Sequence, residues 1–164
     1  MRRIHAQPLE PRAFAAFGSV IDTAGRAAEA INDGTTQRFS DLAALDLRAP
    51  ERDPVLGIYV AHARAFPLRI GKLERHRQAA QVFLPLGLHC FIVVVAEGAE
   101  APQWDEVRAF ITSPGQGVSL NRGCWHHGLV ALADGDRFAV IEGGDYRNDT
   151  QEVAASAGVE LAAP

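Results

Sequence analysis

The stretch Pro114-Gly115-Gln116-Gly117-Val118-Ser119-Leu120-Asn121-Arg122-Gly123-Cys124-Trp125-His126-His127 decides the fold. A sharp Pro-Gly corner leads into a short β run, Gly117 to Leu120. A polar turn follows, and a second β run begins at Trp125 and extends to Ala131. Alternate residues of a strand share a face, so His126 and His127 point in opposite directions. His126 is the one available to whatever the strand lines, and His127 turns to packing or an interface.

The same texture extends outward. β-rich runs are expected at Val55–His62, Leu68–Leu73, Gln81–Leu84, Cys90–Ala96, Val107–Thr112, Gly117–Leu120, Trp125–Ala131 and Phe138–Glu142. Turn residues separate them at intervals of roughly 8–15 residues, the spacing of a sandwich or barrel. Before Val55 the pattern is weaker. Pro11 to Phe17 reads as a helix, with Phe14 and Phe17 at i, i+3 spacing and Gly18 to stop it. Val20 to Asp22 reads as a short strand, Thr23 to Ala30 as a surface connection, and Ile31-Asn32-Asp33-Gly34 as a turn. Asp41 to Leu47 is a helical turn or irregular, and Ala49-Pro50-Glu51-Arg52-Asp53-Pro54 is a loop. The alanine-rich segment after Asp149 is expected to pack as an edge or to fray.

The chain has 164 residues, of which 48% are hydrophobic and 22% charged, enough for one core and one domain over 1–164. A net charge of −4 argues against a protein that coats nucleic acid. The longest apolar stretch, Cys90 to Ala96, has the length of a strand, where a membrane helix needs about 20 residues. No secretory signal is readable, so a cytoplasmic chain with Cys90 and Cys124 reduced is expected. Lys72 is the only lysine.

Two stretches concentrate polar residues. On a strand, Lys72, Glu74 and His76 share one face, with Leu73 and Arg75 on the other. Such a triplet is either a solvated face or the polar interior of a barrel. The stretch around His126 favours the interior, because it resembles the second cupin motif, G-x5-P-x-G-x2-H-x3-N. Gly115, Gly123 and His126 stand in register, with Asn121 where proline is usual and Val130 where asparagine is usual. Glu74-x-His76-x4-Gln81 is a degenerate counterpart of the first motif, H-x-H-x3,4-E. The resemblance implies a mainly β, cupin-like double-stranded β-helix barrel with a short N-terminal helix. It also implies that Glu74, His76, Gln81 and His126 surround the point where cupins hold a metal. Two histidines, a carboxylate and an amide form a poorer transition-metal set than three histidines and a carboxylate. Two readings therefore stand: a divalent ion, or direct acid–base use of these residues.

A narrower resemblance joins Ile31-Asn32-Asp33-Gly34, Leu73-Glu74-Arg75-His76, Gln81-x-Phe83-x-Pro85, Arg108-Ala109-Phe110-Ile111 and Gly117…Trp125-His126-His127. In order and spacing these resemble the ureidoglycolate lyases, from about Ile4 to Asp145. That family releases urea and glyoxylate from (S)-ureidoglycolate in allantoin catabolism. The resemblance implies a homodimer, and nickel as the ion if one is bound. The elimination needs a base for the hydroxyl, a proton for the urea nitrogen and cations for the carboxylate. His76 or Glu74 is the expected base, and the other, or His126, the donor. Lys72, Arg38, Arg108 or Arg122 would hold the carboxylate, and Asn32 and Gln81 the urea group. Cys124 beside His126 invites a nucleophilic reading, but the elimination requires no covalent step. The rivals are a non-catalytic cupin-like sensor of a small carboxylate, a ureidoglycolate amidohydrolase, and a metal-dependent cupin dioxygenase or isomerase. The last lacks a histidine at position 74.

Overall fold

The structure is a computed structural model that describes residues 1–48, 53–143 and 145–164. Most of the loop expected over 49–54 lies outside the described residues. In chain order come β1 (Arg2–Ile4), β2 (Ala6–Pro8), the helix α1 (Pro11–Phe14) and β3 (Gly18–Ile21). A hairpin of β4 (Glu29–Ile31) and β5 (Thr36–Arg38) follows. Next are β6 (Val55–Ala61), β7 (Leu68–His76), β8 (Gln81–Pro85) and β9 (Phe91–Ala96). The chain then forms β10 (Arg108–Ile111), β11 (Gly117–Leu120), β12 (Trp125–His126) and β13 (Val130–Ala131). It closes with β14 (Asp136–Glu142) and β15 (Thr150–Leu161).

The larger sheet runs β1-β15-β7-β12-β9-β10-β2, with β13 also on β9, and the smaller runs β3-β11-β8-β14-β6. They face each other as a flattened, nearly closed barrel, the cupin-like architecture that the motifs imply. The interior core joins Phe91, Val93, Val95 and Phe110 of the larger sheet to Phe83, Val118, Phe138 and Val140 of the smaller. Phe14 and Phe17 fill one part of this core, and Phe14 meets Phe110 edge-on at 5.4 Å. Ile92, Val94 and Ala96 belong to a second core on the outer face of the larger sheet. β9 is thus buried on both faces, which is why Phe-Ile-Val-Val-Val-Ala carries no polar break.

The connection between β9 and β10 covers part of that outer face. Trp125 donates its indole N–H to the Gly98 carbonyl at 3.1 Å, and the Arg75 guanidinium lies 4.3 Å from the Trp125 ring centre. Gly98 has φ +139, and a Cβ there would fall 1.9 Å from the Ala101 carbonyl oxygen. Only glycine fits.

Several segments differ from the sequence expectation: β1 and β2 have no counterpart in it, β7 continues past Leu73 to His76, and three further differences have a clear cause. The helix is a single turn, Pro11–Phe14, because the chain turns immediately to bury Phe17. The run Trp125–Ala131 divides into β12 and β13, since residues 127–129 leave the ladder between them. The segment after Asp149 does not fray: it is β15, a 12-residue strand paired with β7, whose first part is the edge of the sheet and whose last residues, Val159–Leu161, are covered by β1. Its pattern looked weak because a register shift between Ala154 and Val159 interrupts the alternation. Val159 and Leu161, past that shift, pack into the outer core.

Candidate active site

The pleat of β7 places Glu74 and His76 on the interior face, with Leu73 and Arg75 buried on the other. β12 pairs with β7 so that His126 stands directly opposite Glu74. On the other side of β7, Glu152 of β15 is the partner of Glu74. Across the sheet, Val95 pairs with His126, and Arg108 pairs with Val95. One row therefore carries Glu152, Glu74, His126, Val95 and Arg108 on a single face. Donor atoms of Glu74, His76 and His126 lie within 4.8 Å of one another. His126 Nε2 is 3.6 Å from Glu74 Oε1, and the two imidazole centres are 5.4 Å apart.

Hydrogen bonding fixes the tautomers. His126 Nδ1 lies 2.9 Å from the Cys124 carbonyl, which only accepts, so that nitrogen carries the proton. The Thr150 hydroxyl donates to the Tyr146 carbonyl at 3.1 Å, so its oxygen accepts from His76 Nδ1 at 3.4 Å. Both Nε2 atoms are left bare, buried and without a hydrogen-bond partner. Burial holds the His126 pKa down at about 4, against an ordinary 6.5, so this imidazole is neutral at physiological pH. Burial also raises the Glu74 carboxyl, an effect that His76 partly offsets and that Glu152 adds to. Lys72, on the exposed rim, bonds Glu152 Oε1 at 2.7 Å, and that contact raises its pKa.

The facing wall comes from the smaller sheet. Gln81 stands two residues before the core residue Phe83, and Glu142 two after the core residue Val140, so both face inward. Gln81 Nε2 donates to Glu142 Oε1 at 2.7 Å, which leaves Gln81 Oε1 buried and without a partner. The Tyr59 hydroxyl donates to both Glu142 oxygens, at 3.4 and 3.3 Å, and its ring packs edge-on against Phe83. Burial first, then the Glu142 and Glu74 charges, push the Tyr59 hydroxyl up to about 12.

Lys72, Glu74, His76 and His126 are thus brought to one sheet face, with Gln81 on the wall opposite. Arg108 shares that sheet face two strands from His126, where its guanidinium lies 4.8 Å from the Phe110 ring centre and 3.3 Å from the Ala13 carbonyl. Three residues lie elsewhere. Asn32 occupies the β4–β5 turn with φ +52 and bonds Thr36, and Arg38 pairs with Glu29 on the same exposed hairpin. Arg122 forms a two-point pair with Asp46, at 3.0 and 2.7 Å. The Cys124 thiol is pushed up to about 12 by burial and supplies no thiolate nucleophile.

Sequence reasoning passed over Glu142, Tyr59 and Glu152. The signal for Glu142 was present: Phe138, Val140 and Glu142 share a face, so a carboxylate continues a core stripe. Tyr59 had no such signal, since Leu56, Ile58 and Val60 make the other face of β6 equally apolar.

Two bare imidazole nitrogens and a carboxylate, all converging and two of them orphaned, match the two-histidine, one-carboxylate set that holds divalent ions. Glu74, His76 and His126 fit such an ion.

A family model described as ureidoglycolate lyase matches residues 1–162. The ureidoglycolate lyase of Azotobacter vinelandii is 44% identical over 142 residues, covering 87% of this chain and 86% of that one. Its counterpart in Stutzerimonas stutzeri is 41% identical over 152 residues, with 93% and 89% covered. Among solved structures, a 3,4-ketoisomerase from Helicobacter canadensis aligns over 80% of this chain and 87% of that one, at 17% identity and a TM-score of 0.43.

Proposed function

The chain belongs to the ureidoglycolate lyase family, and from that premise we propose how its interior residues divide the work of releasing urea and glyoxylate from ureidoglycolate. The reacting carbon bears a hydroxyl, a ureido nitrogen and a carboxylate. A base takes the hydroxyl proton, the oxygen lone pair forms the carbonyl, the C–N bond breaks, and the nitrogen takes up a proton.

The observation that carries the assignment is the pair of bare, buried Nε2 atoms beside a carboxyl whose pKa is raised. His76 Nε2 is the base, and the Nδ1–H bond to Thr150 keeps its lone pair aimed inward. Glu74 is the donor to the leaving nitrogen, because burial lets its carboxyl keep a proton to higher pH than an ordinary glutamate. His126 has no proton at Nε2 to give, so it orients the substrate as an acceptor. Lys72 faces the substrate carboxylate from the rim, and Arg108 is the second cation on that sheet face. The Gln81 carbonyl meets the urea group from the opposite wall. Asn32, Arg38 and Arg122 hold exposed segments in this scheme.

Glu74, His76 and His126 could instead hold a divalent ion, nickel by family resemblance, which would occupy the lone pairs that these residues otherwise use and would supply Lewis acidity beside the substrate hydroxyl. No helix is long and apolar enough to cross a membrane among the described residues. The catalytic domain spans the chain and works in the cytoplasm as a homodimer. Leu56, Ile58 and Val60 support the dimer, since they form an exposed apolar stripe on the edge strand β6.

The test is to incubate the protein with ureidoglycolate, with and without chelator, and to follow glyoxylate, urea and ammonia. Urea and glyoxylate in equal amounts above the spontaneous rate are expected, falling about a hundredfold or more in His76→Ala. Urea at the background rate would sink the lyase reading, and ammonia in its place would make the protein an amidohydrolase.

A further inference from the structure

Glu142 is 7% exposed, and no cation lies within 4 Å of it among the described residues. A buried carboxylate without a counter-ion is costly unless hydrogen bonds satisfy it. Here Gln81 Nε2 reaches it at 2.7 Å and the Tyr59 hydroxyl at 3.3 and 3.4 Å. These contacts use the Tyr59 hydroxyl proton and one of the two Gln81 Nε2–H bonds. What remains is mostly acceptor: the orphaned Gln81 Oε1 and the unused lone pairs of Glu142, since a carboxylate offers about four, against one further Gln81 N–H.

We propose that Gln81, Glu142 and Tyr59 form a subsite for the ureido end of the substrate, with Glu142 and Gln81 Oε1 accepting its N–H groups and Tyr59 positioning the carboxylate. The identity of the ureido group rests on the lyase reading. A wall dominated by acceptors fits a group rich in donors, and a ureido group carries three N–H bonds in one plane. The two N–H bonds of its terminal NH2 diverge, so one is directed to Glu142 and the other to Gln81 Oε1. The same wall repels the carboxylate of the substrate and leaves it to Lys72. The substrate is thereby oriented with its ureido end toward the smaller sheet and its reacting carbon beside His76. Contact at the terminal nitrogen, one carbonyl removed from the bond that breaks, keeps the Glu142 charge away from the leaving nitrogen.

The test is binding without turnover. N-carbamoylglycine keeps the ureido and carboxylate groups but lacks the hydroxyl, so it cannot eliminate. N-acetylglycine replaces the terminal NH2 with a methyl group. By calorimetry on the full chain, the wild type is expected to prefer the carbamoyl compound by about tenfold or more, the loss that follows hydrogen bonds to a charged group. In Glu142→Gln and in Gln81→Met the preference is expected to fall to about twofold or less, and in Tyr59→Phe by a few-fold. Glyoxylate, which lacks the ureido group, is expected to bind all four proteins alike. Each variant is checked for a cooperative unfolding transition, and the three substitutions test the subsite separately. A wild type with no preference for the carbamoyl compound, or a preference retained in every folded variant, overturns the subsite. The lyase reading fails on different data, namely urea release at the background rate.

Discussion

Glu74 and His126 stand 3.6 Å apart, and burial drives both toward their neutral forms. Each shift has a consequence for stability. The native Glu74 pKa is raised, so its contribution is fully present below the unfolded carboxyl pKa and is lost as pH rises through the native value. Above the unfolded carboxyl pKa this group is therefore a cost, and Glu74→Gln is expected to raise the thermal midpoint while urea release falls about a hundredfold or more. A variant that is both less stable and fully active would refute its place in the site. For His126 the sign is reversed. Its native pKa is about 4 against 6.5, so stability is complete above pH 6.5 and is lost as pH falls toward 4. The loss approaches roughly 3 kcal/mol for the full shift. Guanidinium midpoints taken from pH 7.5 to 4.5 are expected to fall in the wild type, with a shallower fall in His126→Gln. Equal slopes would show that this imidazole is not held neutral.

At the scale of elements, β7 was legible because its polar residues occupy alternate positions. The pleat alone set Lys72, Glu74 and His76 against Leu73 and Arg75. β12 was legible as a strand through His126, but the break after it was not, because residues 127–129 carry no strong turn signal before Gly128. Glu142 was hidden at the end of an apolar run, and its meaning depends on Gln81 and Tyr59, which only the folded sheet brings together. β6 raises a separate matter. One face carries Tyr59 toward Glu142, and the other exposes Leu56, Ile58 and Val60 at the edge of the smaller sheet. Seating a second copy there would cover that stripe. Val60→Asp is expected to shift the protein from dimer to monomer in sedimentation velocity, since a carboxylate in an apolar contact is left without a partner. A wild type that sediments as a monomer removes the dimer, and a variant that stays dimeric moves the interface elsewhere.

Across the whole molecule, the two walls of the site come from different sheets, so the geometry between them depends on how the sheets close. The larger sheet relies on β15, which pairs with β7 over Thr150 to Ala154 and again over Val159 to Leu161. Its far side takes β1 in parallel, Arg2 against Val159 through Ile4 against Leu161. The sequence pattern after Asp149 showed little of this, because the register shift breaks the alternation and only Val159 and Leu161, beyond it, are buried. Deleting residues 150–164 would remove Thr150, the partner of His76, together with Val159 and Leu161 of the outer core. The shortened chain is expected to be insoluble or to lack a cooperative transition. A soluble, cooperatively folding product would show that β15 only decorates the sheet.

The position of β15 also sets an order of events during synthesis. β7 leaves the ribosome before β15, the strand that covers its Lys72–His76 edge, which is translated after every other strand among the described residues. Until then the nascent chain presents an open edge with an apolar outer face at Leu73. The strand that carries the base and the acid is therefore left with one edge open to wrong partners, and the yield of active protein should depend on what shields that edge before residue 150 emerges.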